Sequence, residues 1–155
     1  VRPLRVGPRF WISPRFWTGA GALVGFGAVA MAAFAAHGLG SLDAARQTMV
    51  RDGVQMQGWH ALALLFCGLW ADRGGRLADA AGAAFLIGVL AFCGGVYSLA
   101  LYGVRLPNVA PIGGTLLMLG WLLLFASAWR RGPAVTTPER PRSASDADSP
   151  GSRSR

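Results

Sequence analysis

Four uncharged, apolar runs constrain this chain more than any other feature: Phe16 to Ala36, Trp59 to Ala71, Ala80 to Tyr102 and Ile112 to Trp129. About 20 such residues, wound at about 1.5 Å per residue, cover the roughly 30 Å hydrocarbon core of a bilayer. A helix that is apolar all round must be surrounded by apolar matter, either a large core or lipid. The second run is too short alone, so its helix is extended backwards through Val54, Gln55, Met56 and Gln57, which brings two glutamines into the interface. The expected fold is all-α, an integral membrane bundle of four transmembrane helices with spans at about 16–36, 54–71, 80–102 and 112–129.

Composition agrees. The chain is 53% hydrophobic and 14% charged, against about 25% charged for ordinary soluble domains. The formal net charge is +8, carried on the basic side by 15 arginines and no lysine. These arginines fall in the tails and links rather than along one face, which argues against nucleic-acid binding. Their use in place of lysine, with abundant Gly and Ala, points to a GC-rich bacterial source.

Arginine positions set the expected orientation. Arg2, Arg5, Arg9 and Arg15 precede the first run, Arg73 and Arg76 join the second to the third, and Arg130, Arg131, Arg140 and Arg142 follow the fourth, whereas the other side receives Arg46, Arg51 and Arg105. The positive-inside rule therefore places both termini in the cytoplasm, in a bacterial inner membrane. Trp17, Trp70 and Trp129 are expected as anchors at the inner boundary, and Trp59 and Tyr102 at the outer one. The first run exceeds the ~7–15-residue core of a signal peptide, so it is read as a retained span.

Between the first two spans, Leu42, Ala45, Met49 and Val50 alternate at helical spacing with Asp43, Arg46, Gln47, Arg51 and Asp52. That pattern predicts a short amphipathic helix over 41–53, capped by Ser41. It either lies on the membrane surface or runs on into the second span with a bend near Gly53 or Gly58; a solvated connector is the plainer alternative. Residues 1–15 form an Arg-rich cytoplasmic segment, 16–131 the membrane domain, and 132–155, rich in Pro, Ser, Arg and Asp, a disordered cytoplasmic tail.

In lipid, small residues that let backbones approach are the useful packing signal. Gly21 and Gly25 in the first span, Ala84, Gly88, Ala91 and Gly95 in the third, and Gly113 and Gly120 in the fourth are the candidates. They serve packing within one bundle or, alternatively, a homo-oligomer.

Three stretches, "AFAAHGL" (33–39), "WHALALL" (59–65) and "APIGG" (110–114) followed by "LGW" (119–121), resemble the YgdD/YwdK-like small integral membrane proteins, the family catalogued as domain of unknown function four-two-three. Ala35 stands where that pattern has Gly, and Trp59 where it has Tyr. The resemblance covers about Trp17 to Trp129. It implies a four-span helical protein and carries no substrate, cofactor or catalytic residue.

Both histidines fall at span boundaries. His37 ends the first span and His60 begins the second, so an antiparallel hairpin puts both at the outer boundary, with Gln57 one turn before His60. A polar cluster of His37, Gln57 and His60 can relay protons, ligate a metal, or bond a headgroup or quinone; equally, each ring can satisfy backbone carbonyls at a helix end. Two nitrogen ligands fall short of a zinc site, and no metal or cofactor is expected. Cys67 and Cys93 read as small hydrophobes within spans. "PNVAPIGGT" (107–115) either grips an anionic headgroup at a helix N-terminus or makes a plain turn and close contact. No charge lies within the core of a span, and no phosphate loop, paired carboxylates or Cys-x-x-Cys occur. Two functions remain open: a noncatalytic module binding a protein partner or lipid, and a small channel, carrier or cofactor-binding protein using the His37, Gln57 and His60 cluster.

Overall fold

The computed structural model describes residues 13–129. Most of the Arg-rich N-terminal segment and the whole 132–155 tail lie outside the described residues. Within them the chain is all-α: α1 spans Pro14–His37, α2 Ala44–Tyr102 and α3 Val109–Trp129. Each is long and apolar enough to cross a membrane.

The helix ends follow from local chemistry. Pro14 opens α1, where its missing N–H has no partner to lose. At the other end the Gly38 N–H donates to the Phe34 carbonyl at 2.6 Å. Asp43, not Ser41, caps α2: its carboxylate accepts from the Arg46 N–H at 2.9 Å. Gly103, in left-handed conformation at φ 71°, ends the helix and donates back to Leu99. Asn108, also left-handed at φ 64°, turns the chain into α3, and its carbonyl accepts from the Ile112 N–H at 2.9 Å. Pro111 then sits in the first turn, where an absent N–H is harmless, so α3 begins at Val109 rather than at Ile112.

At 59 residues, a straight α2 would measure about 88 Å. It is broken at Gly75, whose φ of 54° and ψ of −141° mirror an extended conformation that residues with a Cβ avoid. The first limb, residues 44–74, and the second, residues 76–102, then run antiparallel. The Cys93 thiol donates to the Gly53 carbonyl at 3.4 Å, and the Tyr97 hydroxyl to Gln57 Oε1 at 2.9 Å. This hairpin is the centre of the molecule: α1 and α3 each pack on α2 and do not touch one another.

Small residues make the contacts. A Cβ on Gly21 would lie 2.8 Å from the Leu65 backbone nitrogen, one on Gly88 3.0 Å from the Gly113 carbonyl, and one on Gly95 3.1 Å from Ala110. Gly113 abuts the Phe92 backbone, Gly68 abuts Thr18, and Gly120 leaves space for the Phe85 ring. Gly25 meets Ala61 at ordinary contact distance, Ala84 is buried, and Ala91 is half-buried. Trp17, Phe85 and Leu64 fill the interior, while many other large apolar side chains point outward, with Leu23, Phe26 and Leu69 each more than 70% exposed.

The 41–53 segment does not form a separate surface helix. From Ala44 it is the opening of α2, the sole non-helical backbone within α2 is at Gly75, and the helix passes through Gly53 and Gly58 unbroken. Val50 is fully buried beside Leu39 and Ala100, and the Gln47 amide ties the preceding link down by donating to the Leu39 and Leu42 carbonyls at 3.1 and 2.9 Å. Trp17 also departs from the anchoring role: it is 1% exposed, its ring lies against Gly82, and its indole N–H donates to Asp79 at 2.8 Å. Trp129, Trp59 and Tyr102 are exposed on the outside of the bundle.

Gly58 and Gly75 both have open space where a Cβ would go, but only Gly75 has positive φ. Gly75→Ala is therefore expected to lower stability in detergent by about 1–3 kcal/mol, while Gly58→Ala leaves it unchanged or raises it by about 0.5–1 kcal/mol. Thermal unfolding of the purified protein checks this; equal responses would remove Gly75 as the determinant of the reversal.

Candidate functional site

The two central polar side chains of the first limb point to different neighbours. Gln57 faces α1 and the second limb: its Nε2 donates to the Val24 carbonyl at 3.0 Å, and its Oε1 accepts from Tyr97. Gly27 provides the room, since a Cβ there would sit 2.8 Å from Gln57 Nε2. One glutamine thus bridges three helical segments. Interhelical hydrogen bonds of this kind contribute about 0.6 kcal/mol on average and up to about 1.7.

His60, three residues on, is rotated toward α3. Nδ1 lies 2.7 Å from the Met56 carbonyl and Nε2 3.3 Å from the Trp121 indole nitrogen. A carbonyl only accepts and an indole N–H only donates, so the two partners assign the proton to Nδ1 and leave Nε2 as the acceptor. Phe85 and Trp121 pack around the imidazole with ring centroids 5.7 and 6.1 Å away. His60 is 3% exposed and has both nitrogens engaged.

Because α2 begins at Ala44, His60 lies about 24 Å along the first limb, beside Phe85 and Trp121. His37 is the exposed last residue of α1. Val24, the α1 residue that Gln57 reaches, is on the order of 20 Å back along that helix. The three side chains are therefore not gathered into one cluster: Gln57 joins Tyr97, His60 joins Trp121, and His37 stands at the helix end. Among the described residues, no three of His, Cys, Asp and Glu converge as metal ligands would.

Two laterally open grooves flank the central hairpin. The larger, about 710 Å³, lies between α1 and the second limb. Its walls are Leu23, Leu86, Val89 and Leu90, with Gly19 and Gly94 among its lining, and with Arg15 as its charged and Gln57 and Tyr97 as its polar residues. The smaller, about 510 Å³, lies between the first limb and α3 and is lined by Trp59, Phe66 and Trp121 beside His60. Volumes of about 300–1,000 Å³ are those of small-molecule sites.

Tyr97, Asp79 and Ser127 carry no motif in the sequence, and Trp121 stands only within the "LGW" stretch. Ser127 is fully buried and accepts from the Trp70 indole at 3.2 Å. The available signal was pairing: each indole or phenol within an apolar helix needs a polar partner when buried. Cys67 and Cys93 are free and buried in the core. The "PNVAPIGGT" stretch makes close contacts, Ala110 with Gly95 and Gly113 with Phe92 and Gly88.

Apolar helices with large side chains outward and small ones between them are the build of an integral membrane protein. Residues 31–114 match the family model described as "Protein of unknown function (DUF423)". A UPF0382 membrane protein of Haemophilus influenzae is 40% identical over 105 residues, which covers 66% of this chain and 85% of the relative. The UPF0382 inner membrane protein YgdD of Escherichia coli is 34% identical over 112 residues, covering 70% and 86%. One from Staphylococcus haemolyticus is 36% identical, covering 71% and 92%. The chain belongs to this family of bacterial membrane proteins. No solved structure matches it.

Crosslinking tests the placement of the histidines. With Cys67 and Cys93 replaced, the pair Gly25→Cys and Ala61→Cys is expected to form a disulfide on mild oxidation. The Cβ positions lie 3.5 Å apart, within the range such bonds require. The pair His37→Cys and His60→Cys is expected to resist even a short bifunctional reagent; efficient crosslinking there would restore the single cluster.

Proposed function

We propose that the chain is a noncatalytic, four-span module of the bacterial inner membrane, with both termini cytoplasmic, that binds lipid. The two limbs of α2 each supply one span, which with α1 and α3 makes four, and the ten-to-three arginine distribution supports the orientation. The opening turns of α2 carry the polar 44–53 segment at the outer surface.

One observation carries the lipid reading. Among the described residues, no buried side-chain nitrogen or oxygen lacks a hydrogen-bond partner. Gln57, His60, Tyr97, Trp17, Trp70 and Ser127 all bond within the bundle, and the contacts between helices are closed by glycine and alanine. The polar groups thus hold helices together by bonds to one another, and the open space, though Gln57, Tyr97 and His60 border it, is walled mainly by apolar side chains. A channel or carrier needs polar surface along its route.

Two measurements test this. Reporter fusions placed after Trp129 are expected to behave as cytoplasmic, and insertions in 41–43 or 104–108 as external; an external C-terminus overturns the arrangement. Native mass spectrometry of the full chain released from mild detergent is expected to show phospholipid bound after bulk lipid has been stripped. Protein free of lipid but joined to a co-purified polypeptide would instead favour a protein-binding module.

A further inference from the structure

The larger groove has a defined construction. Two hydrogen-bonded clasps join α1 to the second limb. At one end the Trp17 indole holds Asp79 at 2.8 Å; farther along, Gln57 links the Val24 carbonyl to the Tyr97 hydroxyl. Between the clasps the two helices stand apart, and the gap of about 710 Å³ is walled by Leu23, Leu86, Val89 and Leu90. From Leu86 to Tyr97 the second limb rises about 16 Å, roughly half the hydrocarbon thickness. Gly19 and Gly94 lie on opposite walls, and nothing lies within 4 Å of where their Cβ atoms would be. The groove is therefore open because side chains are missing there, not because packing is strained.

Its charge is one-sided. Exposed Arg15 lines the groove at the start of α1, at the end of the bundle that also carries Arg73 and Arg76 beside the Gly75 reversal. Asp79, at the same end, accepts from the Trp17 indole. A slot that is apolar along its length, cationic at one mouth and open sideways matches an amphiphile with an anionic head at the membrane surface and a tail in the hydrocarbon.

We propose that this groove is a lipid site: it takes one acyl tail of an anionic glycerophospholipid from the leaflet on the Arg15 side, with the phosphate against the Arg15 guanidinium. This rests on the lipid-binding reading above and adds the site, the head charge and the leaflet. The tail fills the gap between Leu23 and Leu90 and stops where the Gln57 and Tyr97 clasp closes the slot.

The test uses the full chain in nanodiscs of mixed phosphatidylglycerol and phosphatidylcholine, followed by native mass spectrometry under graded activation. The parent protein is expected to keep one phosphatidylglycerol after other lipids have left. Gly94→Leu, whose Cβ would have no neighbour within 4 Å and whose branched side chain would occupy the slot, is expected to lose that retained lipid, and Gly19→Leu on the facing wall to do the same. Arg15→Gln is expected to keep a lipid but to lose about fivefold of the preference for phosphatidylglycerol, the factor that corresponds to about 1 kcal/mol for one arginine near an anionic surface. Thermal unfolding of each variant confirms that the bundle is intact, with Gly94→Ala as the mildest filling change. Retention of lipid by both leucine variants at the parent level would overturn the groove as the seat, while leaving a lipid-binding module standing. An unchanged head preference in Arg15→Gln would overturn the anionic assignment. Absence of retained lipid in the parent itself would overturn the broader reading as well.

Discussion

Close approach of helix backbones is the constraint on which the rest of this structure depends. In hydrocarbon an apolar side chain gains nothing by leaving solvent for a helix interface, so association relies on dispersion contact and interhelical hydrogen bonds. Both require short separations. Gly21 against Ala61 and Leu65, Gly68 against Thr18, and Gly88 against Gly113 bring the axes close enough for both. The distance at which α1 lies from the first limb then decides whether the Gln57 amide reaches the Val24 carbonyl. A side chain at Gly27 would meet the Gln57 amide itself, and one at Gly21 the Ala61 and Leu65 backbone that sets this distance.

The polar groups complete what the glycines begin. A buried indole, imidazole, amide or phenol in a membrane bundle is costly without a partner, and each here meets one on a different helical segment: Trp17 with Asp79, Trp70 with Ser127, His60 with Trp121, Tyr97 with Gln57. These pairs specify rotation about each helix axis, which small-residue contacts alone leave loose. They also account for why α1 and α3 need not touch: each is oriented by its own bonds to the central hairpin.

Much of this architecture was legible in the residues. Uncharged length located α1, α3 and the second limb, and the small-residue spacings marked positions that now lie at helix contacts. The opening of α2 was less legible, because hydropathy treats Gln47 and Gln57 as polar wherever they occur, whereas here Gln47 binds two backbone carbonyls and Gln57 binds two other helices. The pairing of Gln57 with Val24 fixes the register of α1 on the first limb and leaves His37 on the order of 20 Å farther along α1, a separation that boundary positions in the sequence do not reveal. Trp17 was misread for a related reason: tryptophan near a span end suits either an interfacial belt or a buried contact, and the Asp79 and Gly82 that receive it stand far away in sequence.

The dependence of both outer helices on α2 also bears on biosynthesis. α1 leaves the ribosome first, yet the residues it packs against, from Val50 through Ala61, Leu65 and Gly68 to Gly82, are all made later. Its packing partners are therefore absent until the hairpin has been made and has turned at Gly75. During that interval its glycine face and the Val24 carbonyl lack the partners that α2 supplies in the finished bundle. α1 is thus docked only once α2 has been made, and the order of translation is not the order of assembly.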